Sequence, residues 1–420
     1  MPPALTKDRL RFLLGRFRDR LWVKPLVVCL LSIAAVFVAK LADGTGFAEL
    51  VPEIAAESIE TLLSIMASSM LVIATFSVAS MVSAYASASS TATPRSFTLI
   101  VADDASQNAL STFVGAFIFS VVGLTAVTSD YFQATGLFVL FALTVMVFAI
   151  VIWTFVRWVD RIARLGRMGS TISKVEKATA DAFKRRRDAP TLNALKVSTA
   201  PDGRPVFAAS VGYVQHINIP ALQTWAKQAE VRVVVAALPG TFAAPGRALA
   251  YVSDSPRGQA EIDYKGVVTA FQIGNERLFD DDPRFGLVVL SEIAGRALSP
   301  AVNDPGTAIS VLGTLTRLFA LWREAAQTED LAEAKFDRIE VPEVSVRDMF
   351  DDAFTAIARD GASTVEVAVR LQKTLQSLAS AGDLEVREAA EHHGRLALKR
   401  AANALSMSED LAAVKAAAPS

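Results

Sequence analysis

Long stretches without charge constrain this chain more than any other feature. No Asp, Glu, Lys or Arg occurs from Thr61 to Pro94, from Ala105 to Ser129 or from Tyr131 to Val156, and a shorter gap runs from Pro25 to Ala39. A helix rises about 1.5 Å per residue, so about 20 apolar residues cross the roughly 30 Å of hydrocarbon in a bilayer. The three later stretches reach that length outright. The first reaches it as Leu21 to Leu41, with Lys24 and Lys40 near its ends, where long stems can carry the charge to the headgroups. Four transmembrane helices are therefore predicted, at about 21–41, 62–86, 108–128 and 136–156. No small-x-small cleavage site clearly follows the first, which reads as an uncleaved anchor rather than a signal peptide.

Composition supports a mixed architecture. With 52% hydrophobic residues, 20% charged residues and a mean hydropathy of +0.36, the chain is too apolar for an ordinary soluble protein and too charged for a wholly embedded one. Nothing comparable to the apolar stretches returns after Trp158, and the rest of the chain is long enough for water-soluble domains with their own cores. The single cysteine, Cys29, lies inside the first apolar segment, which excludes an intramolecular disulfide or a cysteine metal site.

Orientation follows from the basic residues. Lys7, Arg9, Arg11, Arg16, Arg18, Arg20 and Lys24 precede the first helix, and Arg157, Arg161, Arg164 and Arg167 follow the fourth. The first interhelical loop holds Asp43, Glu49, Glu53, Glu57 and Glu60, and the third holds Asp130. The positive-inside rule then places both termini in the cytoplasm of a multi-pass inner-membrane protein. The second loop is ambivalent, with Arg95 set against Asp103 and Asp104. Trp22, Trp153 and Trp158 fall where interfacial aromatic anchors belong.

The second apolar helix is crowded with small and hydroxyl residues at helical spacing. These can let helices approach closely, or Ser69, Ser80, Ser83 and Ser87 can line a hydrated path in a homo-oligomer. The basic positions 157, 161, 164 and 167 keep helical spacing and "KRRR" follows at Lys184 to Arg187, which reads as a juxtamembrane helix facing anionic lipid headgroups. Nucleic acid is not an expected partner, because the run adjoins a membrane helix and lacks interleaved aromatics.

The chain then reads as an α+β membrane protein in four parts. Residues 1–160 are the transmembrane domain, 161–200 a basic juxtamembrane helix and linker, 201–265 a small β-rich module and 266–420 a mainly helical cytoplasmic domain. In the β-rich part, "PVFAASVGYVQHINI", "VRVVVAAL" and "RALAYV" read as strands, and Gly240 and Gly246, each after a proline, suggest a barrel-sandwich-like hairpin. No lysine sits at such a hairpin tip, so a carrier role is not expected. Helices are expected at 283–298, 307–324, 346–359, 363–380 and 384–405, with a short strand at "FDRIEVP".

Catalytic signals are missing. His216, His392 and His393 have no metal-ligand spacing, and no phosphate loop, dinucleotide fingerprint or nucleophile elbow occurs. No catalytic residue, metal or cofactor is expected, and the chain does not read as an enzyme. The densest polar motif is "ALSPAVNDPGTA" at Ala297 to Ala308. Ser299-Pro300 can stop one helix, and Asp304 can cap the next with Pro305 in its first turn. Glu292 and Arg296 can pair at i,i+4. The functional alternative is that Arg277, Arg296, Asn303 and Asp304 converge to hold a polar or anionic ligand.

Several motifs carry a resemblance. Gly274-Asn275-Glu276-Arg277, Asp282-Pro283-Arg284-Phe285-Gly286 and Arg296 to Ala308 join Leu21-Trp22 with Pro25, Ser69-Met70, Thr93-Pro94-Arg95 and Gly212 to Ile217. Over most of its length the chain thereby resembles the bacterial predicted membrane protein family DUF2254. Asp103-Asp104 and Asp281 depart from the family pattern. The resemblance implies a four-helix inner-membrane protein with a cytoplasmic domain and brings no activity. Two functions fit the whole reading. One is a homo-oligomer that forms or regulates a conduction or transport pathway, with the second helix central. The other is a membrane-anchored sensor or scaffold that binds a ligand or protein partner.

Overall fold

A computed structural model describes residues 22–44, 54–91, 93–96, 104–164, 168–198, 202–254, 263–324 and 334–418, with Pro52 and Leu99. The basic run from Lys7 to Arg20, Glu49, Glu53, Asp103 and Arg167 lie outside these residues, as do the side chains of Ser87, Asp104 and Arg164. The chain forms two units. The first is Met1–Ser90 with Phe97–Ser170, and the second is Thr91–Ser96 with Thr171–Ser420.

The first unit contains α1 (Val23–Leu41), α2 (Ala56–Thr91), α3 (Asp104–Thr128) and α4 (Ala134–Arg164). Among the described residues these are the four helices long and apolar enough to cross a membrane. Helix α1 packs on α3, where a Cβ on Gly115 would stand 2.4 Å from Val28 Cγ1. Among the described residues, Ser64, Ser68, Ser69 and Ser83 of α2 are exposed in the single chain. The buried residues of α2, Ile59, Leu63, Met66, Met70, Ala74, Ser77 and Met81, recur at three and four and form a single inward face. Ser69 and Ser83 are exposed and Ser80 is half-buried, on a face shared with Phe76. The Phe76 ring meets Trp158 edge-on at 6.1 Å. Trp158 is not an interfacial anchor, because it is 3% exposed and packs among Phe76, Phe113 and Phe155. Trp22 and Trp153 are exposed, and Arg157 lies 5.9 Å over the Trp153 ring.

Asp43 has a structural task at one end of this unit. Its carboxylate accepts from the backbone N–H groups of Gln133 and Gly136 at the start of α4 and pairs with Lys40 at 3.2 Å. An acid there suits the electropositive first turn of α4.

The second unit opens with α5 (Met168–Asp188), which belongs to it from Thr171 onward. Then come β1 (Ala194–Lys196), β2 (Arg204–Phe207), β3 (Gly212–Ile217), α6 (Ile219–Ala229), β4 (Val233–Val235), β5 (Phe242–Ala243), β6 (Ala248–Val252), α7 (Lys265–Ala270) and β7 (Phe271–Gly274). The helical part holds α8 (Pro283–Ala297), α9 (Pro305–Arg323), β8 (Phe336–Val341), α10 (Val346–Asp360), α11 (Val365–Ala381), α12 (Leu384–Ala404) and α13 (Ser408–Ala416). These helices match the three-and-four apolar periodicity closely.

The sheets depart from a self-contained barrel-sandwich module. One has the order β1-β8-β4-β6-β2 and the other β5-β3-β7. Strand β8, from the helical part, lies parallel between β1 and β4, and β7 pairs with β3, so both sheets cross the expected boundary at 265/266. "PVFAASVGYVQHINI" is not one strand but two, placed in different sheets. The β-branched residues Val233, Val235, Val252, Ile339 and Val341 are buried in one cluster with Leu222 and Ala226 of α6. Fully burying each large aliphatic side chain is worth about 1.5–3 kcal/mol. In the helical part, Phe319, Phe350 and Phe354 lie with ring centroids 4.5–5.7 Å apart between α9 and α10.

Candidate functional site

The apolar face of α5 runs Ile172, Val175, Thr179, Phe183 at helical spacing, and the next position on it is Arg186. That register carries a guanidinium into the second unit. Three arginines of the run Lys184 to Arg187 are engaged or buried within the second unit. Arg185 donates to the carbonyl of Asp280, Arg187 donates to the carbonyl of Leu321 at 3.3 Å, and Arg186 is 4% exposed.

Arg186 opens onto a cavity of about 240 Å³ shared with Gly240, Thr241, Arg277, Asp282, Arg284 and Ser345. Its floor is the start of α8. Asp282 caps that helix, accepting from the backbone N–H groups of Arg284 and Phe285 at 3.1 Å each. The same carboxylate receives a two-pronged contact from Arg277, Nε to Oδ2 at 2.7 Å and Nη2 to Oδ1 at 3.0 Å. Such fork-to-carboxylate pairs are the strongest ion-pair geometry available to a protein. Burial pushes the Asp282 carboxyl above its ordinary value, against the pull of Arg277 and the two amides. Burial likewise draws the Arg186 guanidinium below its usual value, against the nearby Asp281 and Asp282. Arg284 spans to α10, pairing with Asp348 at 2.6 Å and Asp352 at 2.7 Å.

Glycines make the close approaches at this site possible. Gly240 has φ +92°, and a Cβ on it would stand 2.2 Å from Asp282 Oδ2. On Gly286, a Cβ would stand 1.8 Å from Thr179 Oγ1, so α8 packs at this glycine directly on the Thr179 side chain of α5. Gln215 donates to the carbonyl of Glu276 at 2.8 Å, which ties the β3 motif Gly212 to Ile217 to the Gly274–Arg277 turn. His216 Nδ1 lies 2.6 Å from Asp281 Oδ2.

The expected ligand set is not brought together. Arg277 lines the cavity, whereas Arg296, Asn303 and Asp304 are exposed at the opposite end of α8, about 20 Å away at the helical rise. Asn303 adopts a left-handed φ of +50°, its N–H donating to the carbonyl of Ser299 at 2.9 Å. Asn tolerates that region better than most residues, which accounts for its place beside the cap. Asp304 caps α9, accepting from the Thr307 N–H at 3.1 Å and the Thr307 hydroxyl at 2.6 Å, and these bonds hold its carboxyl below the usual range. Glu292 does not pair with Arg296. It accepts from the Thr93 hydroxyl at 2.8 Å and from Arg95 Nη1 at 2.5 Å. Thr93 and Ser96 are buried, and the Ser96 N–H and hydroxyl donate to the Thr93 carbonyl at 3.0 and 2.8 Å.

Thus α8 engages the cavity through Asp282 at its first turn and the Thr93–Ser96 segment through Glu292. These are two of the motifs on which the family resemblance stands. The profile of the predicted membrane protein family DUF2254 matches residues 18–377. The chain belongs to this family. Among curated relatives, proteins of Mycobacterium tuberculosis and Mycobacterium bovis named as uncharacterized are each 29% identical over 143 residues, 32% of this chain. The match spans 27% of the length of those relatives. No solved structure matches. Among the described residues, no group of three or more His, Cys, Asp or Glu side chains is placed to hold a metal ion.

Proposed function

We propose that this DUF2254 protein forms or regulates a conduction or transport pathway in the bacterial inner membrane, with the second unit on the cytoplasmic side acting on the connection between α2 and α3. The observation that carries the reading is the grip of Glu292 on Thr93 and Arg95, which lie in that connection. A movement of α8 would be felt at the end of α2. The outward faces of α2, with Ser69 and Ser83 exposed in the single chain, support assembly as a homo-oligomer around that helix. Arg157, Arg161, Arg164 and Arg167 fit contact with anionic headgroups.

The test is flux through proteoliposomes carrying the full chain. Wild type should pass ions or small solutes, and Glu292→Gln, which removes the charge but not the shape, should alter the open fraction without changing the assembly. Absence of flux under every gradient, voltage and tension, from a protein that runs as a monomer, would refute the reading. The cavity at Arg186 favours a second role, that of a ligand sensor.

A further inference from the structure

The cavity at the start of α8 is lined in part by a buried cation, Arg186, whose terminal nitrogens lack a hydrogen-bond partner among the described residues. Arg186 is 4% exposed, yet neither Nη1 nor Nη2 has a hydrogen-bond partner among the described residues. Buried polar groups are nearly always satisfied, and a buried charge without a partner is costly. The acids around it are already engaged. Asp282 is taken by Arg277 and two amides, Asp348 by Arg284, and Glu343 by Lys196 at 2.7 Å. Asp281, whose charge acts on Arg186, has His216 Nδ1 at 2.6 Å. None of these carboxylates is hydrogen-bonded to the Arg186 Nη atoms, and the Arg186 side chain is among those that line about 240 Å³ of space.

We propose that this cavity binds a small oxyanion, a carboxylate or a phosphate, which accepts from both Nη groups of Arg186. A planar fork of two donors matches two oxygens of one such group, which a single ammonium would not. The hydroxyl-bearing residues Thr241 and Ser345 line the same space and can meet a polar substituent, while Leu238 and Val344 offer apolar contact. The volume restricts the occupant to a molecule smaller than the drug-sized ligands of pockets of about 300–1,000 Å³. A sensor, a transporter or a scaffold could each carry such a site, so it stands whether or not the chain conducts.

Thermal denaturation of the detergent-solubilised full chain, titrated with acetate, lactate and inorganic phosphate, tests it, with chloride and acetamide as controls at matched ionic strength. A saturable rise in melting temperature with at least one oxyanion, and none with the controls, is expected. A response to acetate or lactate alone assigns a carboxylate, and a response to phosphate alone assigns a phosphate. Arg186→Lys keeps the charge but loses the fork, and should weaken the apparent affinity about tenfold or more. Arg186→Met should lose the response and, without ligand, melt no lower than wild type, because it removes an unpaired buried charge. No saturable shift in wild type, or an unchanged affinity in Arg186→Lys, overturns the proposal, as does an equal response in Arg186→Met.

Discussion

Gly286→Ala probes the crossing on which the cavity is built. In wild type, a Cβ at this position would stand 1.8 Å from Thr179 Oγ1, 2.7 Å from its Cβ and 2.8 Å from its Cγ2. Rotating the threonine cannot relieve all three contacts, because its Cβ is fixed to the α5 backbone. Thr179 is also 1% exposed, and its hydroxyl donates to the Val175 carbonyl at 2.7 Å, so it has little room to turn. The helices must therefore separate. Overpacking of this kind costs about 1–3 kcal/mol, while replacing Gly by Ala inside a helix returns about 1 kcal/mol, leaving a net loss of up to about 2 kcal/mol. For a unit of this size each 1 kcal/mol corresponds to about 2–4 °C in melting temperature. Thermal denaturation of the full chain in detergent should show a fall of several degrees. Adding Thr179→Ala, which removes two of the three clashing atoms, should restore part of it. A Gly286→Ala protein as stable as wild type, or a double variant with no coupling, would refute the crossing.

Other substitutions test the site and the turns around it. Arg277→Leu strands the buried Asp282 carboxylate and should destabilise the second unit by about 3–5 kcal/mol in chemical denaturation. At Asn303, with φ +50°, Gly should be tolerated and Val should cost about 1–2 kcal/mol or more. Asp304→Ala removes the α9 cap and should cost about 1 kcal/mol. His393 is 2% exposed beside Phe350 and Phe354, and burial holds its imidazole below the ordinary value against the pull of Asp351. The unfolded chain then takes up the proton first, so denaturation midpoints should drop as pH falls below about 6.5, and His393→Phe should flatten that slope.

The membrane-spanning helices are legible in the sequence because charge-free length is a one-dimensional property. The later helices are legible because their apolar spacing is local. Strand partners are not, since nothing near Phe336–Val341 announces that it will lie between Ala194–Lys196 and Val233–Val235. Arg277 is marked by its motif, but its partner Asp282 and its neighbour Arg186 come together only through tertiary packing. Arg186 leaves a faint signal: it falls on the same face as Val175, Thr179 and Phe183, and its basic neighbours mask that register. Helical spacing pairs Glu292 with Arg296, whereas the observed partner, Arg95, is far away in sequence and not accessible to any local rule.

The central place of β8 also sets a schedule. Strand β1 ends at Lys196, and the strand that flanks it, β8, begins at Phe336, after every residue of α6 through α9. At a synthesis rate of about 5–20 residues per second, β1 waits of order ten seconds for that partner to be made. By then all the apolar helices have been translated, so the larger sheet closes last on a chain already committed to the bilayer. A nascent chain arrested between β7 and β8 would present β1 and one edge of β4 unpaired, which is the form most open to mispairing with a neighbouring copy.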